Sequence, residues 1–447
     1  MALVVKNNMS AINTLNIMNS NNNALSKSLQ KVSSGMKINS AADNPAGYAI
    51  SERMRVQIRS LDQDNQNAQN GQNMLKTAEG SVSSTVDILK TLKEKVLDAA
   101  NDTNTTFDRK TIQDYLNQAV DQINDNANTT YNGQLLIDGS KNKAISTAST
   151  VTYTNSSLST ATTFGSALSS LLDRNGNSLN ILKGDTVSIS YTNNGKTTTT
   201  SFSVGTSNLT DVFNNATSGT AYNKFGNSAS FGTTSANSVI GTTAEGLTMY
   251  TADGSSALSI SSNQAGTAGN ISGFTISITG TDGNVKKSVN SVLDAWSEQI
   301  SAQDKSNDNA INMQIGTKSS QTIRVGLSDM RAKALGLQGV STDGTVQNLD
   351  VSTRANANAA VNVLDNAVQK ALKEQTKIGA VENRLDYTQS NLTTQSENVQ
   401  ASESTIRDAN MAKEMTEYTK NNVLMQASQA MLAQANSSSQ NVLQLLQ

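Results

Sequence analysis

Two long runs of apolar residues repeat every seventh position, one near each end of the chain. The first run contains Met54, Ile58, Leu61, Ala68, Leu75, Val82, Leu89 and Val96. The second run contains Leu364, Ala371, Ile378, Leu385, Leu392, Val399 and Ile406. A heptad sustained over this length predicts long helices that supercoil with partners, because an ordinary amphipathic helix rarely exceeds about 25 residues without caps.

The apolar stripe of each predicted helix is narrow. The positions between the apolar residues of the first run include Asn65, Gln72, Glu79 and Lys93. In the second run they are Val368, Gln375, Glu382, Gln389, Ser396 and Glu403. A helix of this kind is poorly stabilised alone, so we expect it to have neighbours on more than one side.

Shorter apolar segments flank the two runs. Spacings of three, four or seven predict a helix near the N-terminus, on Ile12, Leu15, Met18, Leu25, Leu29, Val32 and Met36. A returning helix is predicted from Phe107 to Asn126. The final segment carries almost no charge and ends in Val442, Leu443, Leu445 and Leu446, an apolar tip that a soluble chain should cover.

The single proline of the chain, Pro45, lies between the two N-terminal helical segments. A residue before proline is pushed out of the α region, and proline at the first helical position loses no hydrogen bond. Asn44 is also a good N-cap. These rules predict that one helix ends near Ile38 and the next begins at Pro45. Two interpretations of this junction stay open: it has a role in assembly, or it is an ordinary helix start.

The middle of the chain, residues 141–310, has a different composition. It is rich in Ser, Thr, Gly and Asn, and alternating runs such as TVSISYT, TTTTSFSV and GFTISITGT predict strands with turns at TNNG and TDGN. Residues Met313 to Leu327 predict a hairpin. The expected fold class is therefore mainly α with a β-rich insertion, in which the two terminal regions form a long antiparallel helical bundle.

Composition excludes several classes of protein. The chain has no histidine and no cysteine, so we expect no His- or Cys-based catalysis, no zinc site with nitrogen or sulfur ligands, and no disulfide. A net charge of −2 argues against a nucleic-acid partner. No apolar stretch is long enough to span a membrane, and the N-terminus lacks the features of a secretory signal. We predict neither an enzyme nor a cofactor.

Many separate motifs at both ends resemble bacterial flagellins, the subunits of the flagellar filament. The N-terminal motifs are SSGMKINSAADNPAGYAISERM, LKTAEGSV and TTYNGQLLIDGS. The C-terminal ones are LSDMRAKALGL, IGAVENRLDYTQSNL, SESTIRDANMAKEMTEYTKNNVLMQASQAMLAQAN and the apolar VLQLL ending. The resemblance covers about residues 1–140 and 311–447, whereas the middle block aligns with nothing comparable.

The resemblance implies three domains in a helical homopolymer. Residues 1–43 with 411–447 would form the inner coiled coil, 44–140 with 311–410 a helical bundle with a β-hairpin, and 141–310 the variable outer part. The implied polymerisation residues are Ile12, Leu15, Leu25, Leu29, Val32, Leu424, Met431, Leu432, Leu443 and Leu446. The implied bundle residues are Met54, Ile58, Leu61, Leu75, Leu89, Arg384, Leu385, Leu392, Ile406 and Arg407.

The resemblance also implies partners and a location. A flagellin is exported unfolded through the flagellar type III apparatus and builds an extracellular filament for swimming. Its implied partners are copies of itself, an export chaperone, the filament cap and the hook-junction proteins. Two alternatives stay open, a minor axial component such as a hook–filament junction protein and adhesion of the outer part to glycans or a host surface.

One motif departs from the family pattern. Flagellins detected by the vertebrate innate receptor carry an arginine, a leucine four residues later, and a glutamate on the following helix. The matching positions here are Thr91, Lys95 and Tyr115. We therefore predict weak or absent receptor activation; neutral drift on a surface buried in the filament is the alternative explanation of the change.

Overall fold

The computed structural model describes residues 8–163, 165–193, 195–216, 239–251, 257–262, 264–340 and 345–445. The chain divides into two compact units. Unit 1 comprises Met1–Gln69, Gln314–Thr322 and Asp386–Gln447. Unit 2 comprises Asn70–Met313 and Ile323–Leu385.

Long helices occupy both ends of the chain, so the prediction of a mainly helical fold with a β-rich middle is confirmed. The helices are α1 Met9–Ser34, α2 Pro45–Ala99, α3 Thr106–Ala127, α4 Leu209–Ala216, α5 Lys287–Leu293, α6 Ala332–Leu335, α7 Arg354–Arg407 and α8 Met411–Leu445. The two heptad runs correspond to α2 and α7, which have 55 and 54 residues.

The strands are short except for three in the middle block, which have eight or nine residues. They are β1 Thr130–Tyr131, β2 Gln134–Leu135, β3 Thr152–Asn155, β4 Thr186–Asn193, β5 Lys196–Ser203, β6 Val239–Thr242, β7 Thr248–Tyr250, β8 Leu258–Ser261, β9 Ile271–Thr279, β10 Ser297–Ile300, β11 Ile311–Gln314, β12 Thr322–Val325, β13 Gln338–Val340 and β14 Val346–Asn348. Two three-stranded sheets have the orders β5-β4-β9 and β10-β3-β8. The three runs quoted above lie in β4, β5 and β9, which pair antiparallel.

The helical core of unit 2 is built from α2, α3 and α7. Its fully buried apolar side chains are Leu75, Ala78, Val82, Leu89, Leu92, Val96, Leu116, Val120, Ile123, Val363, Leu364, Ala367, Ala371 and Ile378. A capping box starts α3, in which the Thr105 hydroxyl accepts the backbone N–H of Asp108 and the Asp108 carboxylate accepts that of Thr105. This reciprocal pair satisfies two amide donors that a helix start leaves free.

A second buried stripe of α2 was not predicted from the sequence. It lies three positions after the heptad residues, on Asp64, Gly71, Ala78, Thr85, Leu92 and Ala99, all of which are buried. The polar positions Asn65, Gln72, Glu79 and Lys93 are half-buried. The buried stripe consists mainly of small residues, and a Cβ at Gly71 would lie 2.1 Å from the Met313 sulfur. At Gly71, the close approach of the Met313 side chain leaves no room for a larger residue.

The β-rich part of unit 2 has its own apolar cluster. Val187 and Ile189 of β4 and Ile276 and Ile278 of β9 are buried in it. The single tryptophan, Trp296, packs edge-on against Phe274, with ring centroids 5.6 Å apart. Its fluorescence therefore reports on the packing of this cluster.

Strand β9 and its neighbours also pack on α7 within unit 2. Gly273 has φ +62°, and a Cβ there would lie 2.5 Å from the Ala359 carbonyl oxygen. The buried Tyr153 hydroxyl donates to the Ile271 carbonyl oxygen at 2.6 Å and accepts from the Asn366 amide at 3.3 Å. These contacts join the middle block to the C-terminal long helix.

Asp294 directly follows Leu293, a buried residue of this cluster, and has a raised pKa. Burial raises the pKa of Asp294 to about 6, although the Ile276 backbone N–H and the Asn362 side chain, which favour the carboxylate, oppose the shift. The folded state therefore holds the proton more tightly than the unfolded state. This residue stabilises unit 2 below about pH 4, and the contribution is lost as the pH rises to about 6.

We predict that Asp294→Asn stabilises the β-rich part of unit 2 at neutral pH. The gain over the wild-type chain should grow between about pH 4 and pH 6 and level off above that, at up to about 3 kcal/mol. Trp296 emission during urea unfolding measures it. The matched control is Glu245→Gln, at an exposed acid; a gain for Asp294→Asn that does not depend on pH contradicts the assignment.

Candidate functional site

Helices α1 and α8 of unit 1 pack against each other without an apolar core. Among the described side chains of these two helices, only Ser28 and Ser428 are buried, with 7% and 8% exposed. The large apolar side chains lie mainly at the surface of the pair instead. The exposed ones are Met9, Ile12, Leu15, Ile17, Leu29, Met411, Met415, Val423, Leu424 and Met431.

Polar contacts connect the two helices along their length. The Asn21 amide donates to the Ser428 hydroxyl at 2.8 Å, and the Asn421 amide donates to the Ser28 hydroxyl at 3.0 Å. Towards one end, the Asn8 amide donates to the Ala435 carbonyl oxygen at 3.1 Å. Residue numbers that rise along α1 therefore meet numbers that fall along α8, so the two helices are antiparallel.

The predicted polymerisation residues are mostly on the outside of this pair. Ile12, Leu15, Leu29, Leu424 and Met431 are exposed, whereas Leu25, Val32 and Leu432 are half-buried. The Leu443 side chain and the whole of Leu446 lie outside the described residues. An apolar surface of this extent on a long helix pair is typical of a protein that buries it against other molecules.

The junction between α1 and α2 has defined caps at both ends. α1 ends at Ser34, earlier than the predicted end near Ile38, because Gly35 adopts the left-handed conformation at φ +71° and donates its N–H to the Lys31 carbonyl oxygen. α2 begins at Pro45. The Asn44 side-chain oxygen accepts the Gly47 backbone N–H at 3.0 Å, which is the geometry of an N-cap.

The α7–α8 break lies against this junction. The Lys37 N–H donates to the Arg407 carbonyl oxygen at 2.8 Å, and the Ala409 N–H donates to the Gly35 carbonyl oxygen at 2.9 Å. The buried Arg407 guanidinium donates to the Glu52 carboxylate at 2.8 Å. This contact is the main cause that lowers the pKa of Glu52.

Arg407 also lies over the Tyr48 ring, with 5.6 Å between the guanidinium carbon and the ring centroid. Its side chain therefore contacts the first turns of α2 through both a charge pair and a cation–π contact. Together with the two backbone hydrogen bonds, these contacts bring both helix breaks to one place in unit 1.

The remaining predicted bundle residues lie on α2 and α7. Leu61, Leu75, Leu89, Leu385 and Leu392 are buried, Met54, Ile58 and Ile406 are half-buried, and Arg384 is exposed. The receptor-motif positions Thr91, Lys95 and Tyr115 are all exposed.

Reasoning from apolar patterns missed the residues that hold α1 against α8. Asn21, Ser28, Asn421 and Ser428 are polar, so a search for apolar stripes passes over them. One signal was available in the sequence, since the spacing Asn-x₆-Ser occurs in both terminal helices.

Comparison with known proteins identifies the family. The bacterial flagellin N-terminal helical region matches residues 5–142, and the C-terminal helical region matches residues 361–446. The flagellin of Clostridium tyrobutyricum is 34% identical over 443 residues, 98% of this chain and 100% of that protein. The flagellin of Bacillus subtilis (strain 168) is 30% identical over 459 aligned residues, with 99% of each chain covered.

The chain belongs to the flagellin family. It is a structural subunit of the extracellular flagellar filament, and neither alternative, the minor axial component or the adhesin, is favoured. The family consists of structural proteins rather than enzymes. A flagellar junction protein of Legionella pneumophila also aligns, at 14% identity and a TM-score of 0.31 over 80% of this chain and 99% of that one.

The described residues include neither a membrane-spanning helix nor a metal-binding cluster. No helix among them is long and apolar enough to cross a membrane. No group of three or more acidic side chains among them is arranged to hold a metal ion.

We predict that Arg407→Ala weakens the filament without unfolding unit 2. The substitution removes a charged hydrogen bond to Glu52 and the contact with the Tyr48 ring, which both hold the α7–α8 break against the first turns of α2. Filament dissociation on heating should shift to lower temperature, while Trp296 emission of the monomer stays unchanged. Arg53→Ala, at an exposed position of α2, is the matched control. Equal dissociation temperatures for the two variants contradict a role of Arg407 at the junction.

Proposed function

We propose that α1 and α8 form the polymerisation core and that neighbouring copies cover their exposed apolar side chains. One observation carries this proposal. The buried side chains of the pair are serines, whereas large apolar side chains are exposed, namely Ile12, Leu15, Leu424 and Met431. Burying such side chains removes apolar surface from water, at about 1.5–3 kcal/mol for each large one. The helices thus gain their apolar core from assembly.

The three-domain division of the chain remains part of this proposal. In it, residues 1–43 and 411–447 are the inner layer, 44–140 and 311–410 the bundle around it, and 141–310 the outer part. The caps at Gly35 and Asn44 support a break between the first two parts on the N-terminal side. Asn410 supports it on the C-terminal side, because its side chain accepts the Lys413 N–H at 3.2 Å at the start of α8.

The partners follow from the same surface. In the single folded chain, α8 carries five exposed apolar side chains, Met411, Met415, Val423, Leu424 and Met431. We propose that an export chaperone covers this helix, and that the filament cap and the hook-junction proteins contact the terminal helices when the chain assembles. A flagellin whose apolar faces point outward needs such cover, because exposed apolar patches promote aggregation.

We predict that Leu29→Gln impairs polymerisation and leaves the monomer folded. Leu29 is 52% exposed in the single chain, so the monomer loses little. In the filament, covering the exposed half of Leu29 contributes about 1–1.5 kcal/mol per subunit, so its loss raises the critical concentration by roughly fivefold to tenfold. Sedimentation of filaments at graded monomer concentration measures it. Gln30→Ala, at the adjacent exposed residue, should assemble as the wild-type chain does; equal critical concentrations for both variants refute the proposal.

We also propose that the chain activates the vertebrate innate flagellin receptor weakly or not at all. Thr91 and Lys95 on α2 and Tyr115 on α3 are exposed at the positions of the receptor motif, and each differs from it. Lys95 stands where the motif has an apolar leucine, and Tyr115 stands where it has an acidic residue.

A reporter-cell assay with purified monomer tests the receptor proposal. We expect little response to the wild-type chain and a larger response when the motif is restored by Thr91→Arg, Lys95→Leu and Tyr115→Glu together. The control carries Thr111→Arg, at an exposed position of α3 outside the motif. Full activation by the wild-type monomer overturns the proposal, and so does a restored variant that responds no better than the control.

A further inference from the structure

The two hydrogen bonds at the centre of the α1/α8 pair are related by symmetry. On α1, Asn21 and Ser28 are seven residues apart, and on α8, Asn421 and Ser428 are also seven apart. Each asparagine donates to the serine of the opposite helix, at 2.8 Å and 3.0 Å. Antiparallel helices that carry the same Asn-x₆-Ser spacing therefore form two equivalent bonds about a local twofold axis. We call these four residues the double clamp.

The hydrogen bonds of the clamp are well satisfied. The Ser428 hydroxyl donates to the Leu424 carbonyl oxygen at 2.7 Å, which leaves its lone pair for the Asn21 amide. The Asn21 amide also lies 3.4 Å from the Leu424 carbonyl oxygen. Both serines are buried, so water is a poor substitute for the asparagine amide as a donor to either hydroxyl oxygen.

Apolar packing specifies the register of this pair only weakly, because Leu25, Val32 and Leu432 are half-buried rather than buried. The apolar side chains are mainly at its surface, and Ser28 and Ser428 are its only buried side chains among those described. In coiled coils, a single buried polar residue can specify register and direction, because other alignments leave it unpaired. A slip of one heptad moves α1 along α8 by about 10 Å. Such a slip would break at least one bond of the clamp.

We propose that the double clamp of Asn21, Ser28, Asn421 and Ser428 determines the register and the antiparallel direction of α1 against α8. The clamp selects one alignment, and the outward apolar residues then meet neighbouring copies in one arrangement. The inference rests on the proposed role of the α1/α8 pair as the polymerisation core.

Disulfide cross-linking in assembled filaments tests the register directly, because the natural chain has no cysteine. The reporter is Asn8→Cys with Ala435→Cys, two positions that contact each other in the pair. With the clamp intact, a mild oxidant should join them within one chain. In the variant Asn21→Leu with Asn421→Leu, a one-heptad slip would take the two cysteines beyond the roughly 7 Å Cα separation that a disulfide tolerates. The intramolecular product should then be lost.

Two controls make the result specific. Asn22→Leu with Asn436→Leu changes two exposed asparagines of the same helices and should keep the cross-link. If the leucine variant of the clamp does not assemble, a second test exchanges the asparagine and serine of each hydrogen bond between the two helices. Asn21→Ser with Asn421→Ser should lose the cross-link or the filament, and adding Ser428→Asn with Ser28→Asn should restore it.

The possible failures are distinguishable. Absence of the cross-link in the reporter chain with an intact clamp overturns the α1/α8 pairing itself, and with it the proposed function. An undiminished cross-link in filaments of Asn21→Leu with Asn421→Leu overturns only the clamp. The clamp is also overturned if the chain with exchanged asparagines and serines forms no more cross-link or filament than the variant Asn21→Ser with Asn421→Ser.

Discussion

The rest of the structure depends on one constraint: the side chains buried between α1 and α8 are serines, whereas most of the large apolar side chains of the two helices are exposed. A pair of this kind gains little from burial, since each Asn–Ser hydrogen bond contributes only about 1 kcal/mol net. In the proposed assembly, neighbouring copies cover the exposed apolar side chains and add the apolar contacts that the single chain lacks.

The junction residues separate the α1/α8 pair from the long helices α2 and α7. Gly35 ends α1, Asn44 and Pro45 start α2, and Arg407 ties the α7–α8 break to the first turns of α2. Unit 2, in contrast, has a conventional apolar core on α2, α3 and α7 and a second cluster around β4 and β9. The chain thus contains a unit with its own apolar core and two terminal helices with large exposed apolar side chains.

Parts of this fold were predictable from local rules, and parts were not. The start of α2 at Pro45 follows from proline and asparagine preferences alone. The end of α1 was misplaced, because the apolar spacing continues to Met36 whereas the backbone turns at Gly35. The buried stripe on Gly71, Ala78 and Thr85 was also missed, since small residues signal close helix approach only when the neighbouring chain is known.

The sequence by itself determined the family, the two long helices and the β-rich insertion, because heptads, caps and alternating strands are local signals that the chain states directly. Only the tertiary structure decided that Ser28 and Ser428 are the buried contacts and that Leu29 and Met431 face outward. The physical reason is that a helix with a weak apolar stripe does not specify its own buried side. That choice depends on which polar groups find partners across the pair.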